Sequence, residues 1–135
     1  MLSLSIDDVK GFMAMFLKSD VFDTFDLHSL SVHTSAVFEV HKHPAQPIPA
    51  WAAVRPYAFE IIKGGKPPSY VKAVLARMDG DDVMFLNITF EDGKITITSG
   101  MSQKTFSMDK TKYHTWNDHI VDFFKANNIS YINGF

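Results

Sequence analysis

The dipeptide Asp92-Gly93 constrains this chain more than any other feature of its sequence. A two-residue Asp-Gly loop lets both turn residues take positive φ, which matches the twist of a tight hairpin. Closing it sets Glu91 against Lys94, Phe90 against Ile95, Ile88 against Ile97 and Leu86 against Ser99. The first three pairs match in character. One face holds Leu86, Ile88, Phe90, Ile95 and Ile97; the other holds Asn87, Thr89, Glu91, Lys94, Thr96 and Thr98. A slip of one residue would oppose isoleucines to threonines, so the register is well specified. Residues 83–110, VMFLNITFEDGKITITSGMSQKTFSMDK, therefore read as a three-strand antiparallel meander. In it Phe106 and Met108 return along Ile97 and Ile95.

Length and composition bound what such a sheet can belong to. The 135 residues fit one domain, 1–135, that buries about two-thirds of its unfolded surface. Apolar residues make up 46%, with twelve Phe, so a core forms without staples. The absence of Cys excludes a disulfide framework, a thiolate zinc site and a cysteine nucleophile. A net charge of −2 gives no indication of a nucleic-acid or acidic-membrane partner. Asp7, Asp8 and Lys10 interrupt the first apolar run too early for a signal peptide. No stretch approaches the roughly 20 apolar residues that span a bilayer. The expectation is a soluble, cytoplasmic protein.

Around the meander, residues 4–9 (LSIDDV) read as a helix start. Ser5 is the expected cap, Leu4 and Val9 the expected staple, and Asp7 and Asp8 complement the dipole. Ile6, Val9, Phe12, Met13, Phe16 and Leu17 follow at helical spacing, against a cost of about 1 kcal/mol at Gly11. A change of parity at His28-Ser29 predicts a bulge, or two separate short strands; Val37, Phe38 and Val40 read as the returning strand of a hairpin. Trp51, Val54, Ala58, Ile61 and Ile62 recur at helical spacing, although Pro56 leaves a strand from Tyr57 as the rival reading. Tyr70 to Met78 carries apolar residues on both parities, as in a strand covered on both faces. Asp109 is the expected cap of a last helix with Tyr113, Trp116, Ile120, Phe123 and Phe124 inward. The apolar tail 129–135 is placed to add an edge strand or to dock in a groove. The fold class is α+β: a mainly antiparallel sheet packed against N- and C-terminal helices.

No motif of specific chemistry stands out. His41 and His43 would share a strand face with His33 nearby, but no carboxylate stands at ligand spacing, so no metal is expected. His114 and Asp118 are four apart on a helix and could form an acid–base pair, the basis of an alternative reading as a small enzyme. Such a pair is more often a solvated helix face. Lys63-Gly64-Gly65-Lys66 lacks the full phosphate-loop spacing and reads better as a helix stop. The cluster Arg55, Lys63, Lys66 and Lys72, interleaved with Trp51 and Tyr57, is the best candidate contact surface in the sequence.

Several runs resemble a known family. LSIDDVKGFMAMFLKSDVFDTFDL at 4–27 is similar to the amino-terminal signature of a bacterial family called domain of unknown function 5721. Similar pieces follow in order: WAAVRP from Trp51 with Ile62-Lys63-Gly64 and Pro68, FLNITFEDGKITITSG with Ser102, and FSMDK with Trp116-Asn117-Asp118. The chain is shorter than that pattern between Val40 and Trp51. The resemblance implies a shared fold and transfers no activity. The sequence thus points to a non-enzymatic binding module, contacting a protein partner or a small anion through Trp51, Arg55, Lys63, Lys66 and Lys72. It needs no cofactor and has edges through which it could self-associate.

Overall fold

In the computed structural model, residues 2–64, 66–104 and 109–133 are described. The central hairpin closes in the expected register, with Glu91 opposite Lys94, Phe90 opposite Ile95 and Ile88 opposite Ile97. Asp92 and Gly93 both take positive φ, 54° and 72°. The hairpin strands are β5 (Asp82–Glu91) and β6 (Lys94–Ser102). β4 (Tyr70–Asp79) precedes them through a second tight turn, where Gly80 has a φ of 61°.

β6 is not followed in the sheet by a returning strand along Thr96 to Thr98. That edge is taken by β1 (Ser3–Ile6), with Ser3 opposite Thr98, Leu4 opposite Ile97 and Ser5 opposite Thr96. Phe106 and Met108 lie outside the described residues. The expected helix start at Ser5 is therefore corrected. Ser3-Leu4-Ser5-Ile6 alternates with period two, and the backbone of β6 offers it a ladder that an isolated helical turn cannot match. The helix α1 spans Val9–Lys18. Its cap is Asp8, whose carboxylate accepts from Gly11 N at 2.9 Å. A Cβ on Gly11 would run into that carboxylate, so the glycine that costs helix propensity gives the cap its room.

β2 (Asp26–His33) and β3 (Val37–His41) form the second hairpin, and the register against β4 shifts between Leu27 and Ser29, at the expected bulge. α2 (Trp51–Lys63) is a helix despite Pro56. The carbonyl that the proline leaves without a donor belongs to Ala52, an exposed residue, and water can satisfy it. The preceding loop is stapled to β2 by Leu27 N to Pro49 O (2.8 Å) and Trp51 N to Phe25 O (3.0 Å). α3 (Thr111–Ala126) has Lys110 rather than the expected Asp109 at its N-cap; Asp109, one residue further out, accepts from Thr111 N at 2.9 Å. It ends at Asn127 and Asn128, the latter at φ 57°. The tail does add an edge strand, β7 (Tyr131–Asn133), paired with β1.

Among the described residues the sheet has seven strands, all pairings antiparallel, in the order β3-β2-β4-β5-β6-β1-β7. The fold is α+β, with three helices among the described residues. Residues of one parity (Val71, Ala73, Leu75, Leu86, Ile88, Ile95, Ile97) share one buried cluster with Phe12 and Phe16 of α1, Trp51 and Ala58 of α2, and Trp116, Ile120 and Phe124 of α3. The helices thus cover one face. The other carries exposed Lys72 and Thr96 and half-buried Asn87, Thr89 and Thr98, so β4 is covered by helices on one face, while on the other Ala76 is buried and Val74 half-buried. No described helix is long and apolar enough to cross a membrane.

Candidate functional site

Along β4 the core-facing positions run Val71, Ala73, Leu75 and then Arg77, which pairs with Met84. The pleat alone aims Arg77 at the helical layer, where the sheet end meets α3. Its guanidinium lies 4.6 Å from the Phe25 ring centroid and 5.8 Å from that of Trp116. Nη2 donates to Thr24 Oγ1 at 3.3 Å, and Nη1 bonds to His119 Nε2. The His119 ring stacks on Trp116, 5.5 Å between centroids. Trp116 is itself fixed by its indole N–H, which donates to Phe85 O at 2.9 Å.

Arg77 makes no ion pair among the described residues. Burial lowers its pKa, and the charge of Asp26 opposes that shift only in part. Burial and then the Arg77 charge also lower the pKa of His119, with Asp122 opposing. The imidazole is therefore neutral at pH 7 and accepts from the guanidinium at Nε2. Of the five guanidinium N–H groups, two are spent on Thr24 and His119.

A cleft of about 270 Å³ opens beside Arg77, bounded by Met78, Met84, Trp116 and His119, with Asp79, Lys112 and Thr115 at its other side. Two of these residues belong to a clamp: Lys112 Nζ lies 2.6 Å from Asp82 Oδ2 and 3.1 Å from Asp79 Oδ2. It ties the β4–β5 turn to α3. Lys112 holds the Asp82 carboxyl below its ordinary pKa, and Asp82 first and then Asp79 hold the Lys112 ammonium above its own. Both groups are more charged in the fold than in the unfolded chain. The clamp thus contributes fully between about pH 4 and pH 10, and fades as pH falls through the lowered Asp82 value or rises through the raised Lys112 value. Lys112→Met is expected to lower Tm at pH 7, with the gap from the parent narrowing in melts below about pH 4. A gap that stays constant to about pH 2 would show that the clamp acts by packing, not charge.

The residues singled out in the sequence are not gathered on one surface. Trp51 is fully buried, stacked on Phe16 with centroids 4.4 Å apart and planes 6° apart. Arg55 is held by both oxygens of Asp23 at 2.8 and 2.9 Å. Lys63 is exposed beside Glu60 (3.5 Å), Lys66 is exposed in the loop after α2, and Lys72 lies on the sheet face away from the helices. His114 and Asp118 are both exposed, and no hydrogen bond joins them among the described residues; the cleft receives His119 instead. His41 contacts Glu39 at 3.2 Å, and the described residues contain no group of three or more His, Cys, Asp or Glu placed to hold a metal ion. Sequence reasoning missed Arg77. The available signal was a cation at the fourth core-facing position of an otherwise apolar strand.

Residues 76–132 match the model of a family of unknown function, DUF5721. The matched span runs from the end of β4 into β7 and holds every residue that lines the cleft. It is narrower than the resemblance read along the sequence, whose runs at 4–27 and 51–68 lie outside it. No curated protein and no solved structure matches the chain.

Proposed function

We propose that the protein is a non-enzymatic binding module, active in the cytoplasm, whose ligand is a small organic anion seated at Arg77. The supporting observation is a partly buried guanidinium, flanked by aromatic rings, that opens on a cleft without a carboxylate partner in the described chain. A partly desolvated charge that the Asp26 carboxylate offsets only in part is costly, and a ligand carboxylate or phosphate lowers that cost by accepting from the remaining N–H groups. Met84 and Trp116 give an apolar bed for the ligand's body. The other cation of the cleft, Lys112, lies between two carboxylates, so the clamp is net negative. The site therefore suits one acidic group on a mainly apolar molecule rather than a polyanion.

Nuclear magnetic resonance titration of the full chain with benzoate, acetate and inorganic phosphate tests this. Benzoate is expected to bind best, with Kd of about 1 mM or tighter, shifting the Trp116 indole and Arg77 side-chain N–H signals together. No response of either signal to any of the three anions would overturn the reading.

A further inference from the structure

β3 lies at one end of the sheet order, with β2 on one side and no described strand on the other. Such an edge presents a row of N–H and C=O groups to any strand that can approach. Val37 and Phe38 are 61% and 40% exposed. Glu39 and His41 point to the same face, and Glu39 Oε2 lies 3.2 Å from His41 Nε2. That face is the one away from the helices. Phe38 and Val40 pair with buried Val32 and Leu30 and so point to the helical side.

Charges along an edge usually repel a second copy. Here an acceptor, the Glu39 carboxylate, alternates with an imidazole that can donate, His41, and two-fold symmetry turns alternation into complementarity. An antiparallel copy related by an axis through Val40 sets Glu39 opposite the partner's His41 and His41 opposite the partner's Glu39. With the contact inside each chain, the four side chains make one alternating ring on the open face. In the same register Phe38 and Val37 stand opposite the partner's Lys42 and His43, the first two residues beyond the end of β3. Moving the axis to Glu39 would oppose two carboxylates directly, so charge selects the register.

We propose that β3 pairs with β3 of a second copy, joining two sheets into one through a symmetric antiparallel ladder about Val40. The contact surface is small, so the dimer is a weak, reversible one. Sedimentation equilibrium of the full chain from about 10 μM to about 1 mM is the test. A monomer–dimer equilibrium is expected. Glu39→Lys, at an exposed site, is expected to weaken it about tenfold, because the symmetry repeats the loss of the carboxylate acceptor. The swap Glu39→His with His41→Glu is expected to restore it. A chain that stays monomeric over the whole range overturns the proposal, including the case where β3 receives an extended peptide from another protein. So does a dimer that Glu39→Lys leaves unchanged.

Discussion

Trp51→Ala is expected to lower the unfolding free energy by about 3–5 kcal/mol, whereas Trp51→Phe costs under about 1.5 kcal/mol. The two variants separate a core anchor from a contact residue. The Trp51 ring is fully buried and lies flat on Phe16, which in turn meets Phe12 and Phe22 edge-on or in stacks. Alanine removes the whole ring and leaves a cavity between α1, α2 and β2 that close-packed neighbours cannot fill. Phenylalanine keeps the stack. It also removes an indole N–H that is buried without a partner among the described residues, which returns part of the packing loss. Urea unfolding followed by circular dichroism measures both. Equal stability of the two variants would show that Trp51 is not an anchor, and would reopen the contact surface that the sequence suggested around Arg55, Lys63, Lys66 and Lys72.

The parts of this fold that were legible in the sequence are those fixed by neighbours in the chain. Asp92-Gly93 sets the turn, and the period of two on either side sets the register; no distant residue is needed. The bulge at His28 was legible because a parity change is a local signal. β1 was not. Leu4 and Ile6 satisfy an alternating reading, and together with Val9 they satisfy a helical one. The partner that decides between them, Thr96 to Thr98, lies far along the chain. The same reason hid the candidate site. Arg77 meets His119 and Thr24 across separations of 42 and 53 residues, so no run of sequence contains the constellation. The basic cluster from Arg55 to Lys72 shows the converse. It is continuous in sequence, but the sheet and helix turn its members apart, and Asp23 takes Arg55.

Arg77→Met is expected to weaken anion binding by at least about a hundredfold while leaving stability unchanged or higher, a combination that only a binding role predicts. If the guanidinium were retained for folding, its removal would unfold the sheet end, since Phe25, Trp116 and His119 pack on it. The charge, however, is desolvated without an ion pair in the described chain, and an unbranched apolar side chain of similar length keeps those contacts without that cost. Two charge-assisted hydrogen bonds to a ligand oxygen account for the loss of affinity. Arg77→Lys separates charge from geometry. It keeps a cation but not the planar fork, and affinity for benzoate is expected to fall about tenfold rather than disappear. Thermal melts and titrations on the three proteins decide the matter together. A methionine variant that melts well below the parent, with benzoate affinity intact, would assign Arg77 to the architecture alone; loss of binding with an unchanged or raised Tm assigns it to the ligand.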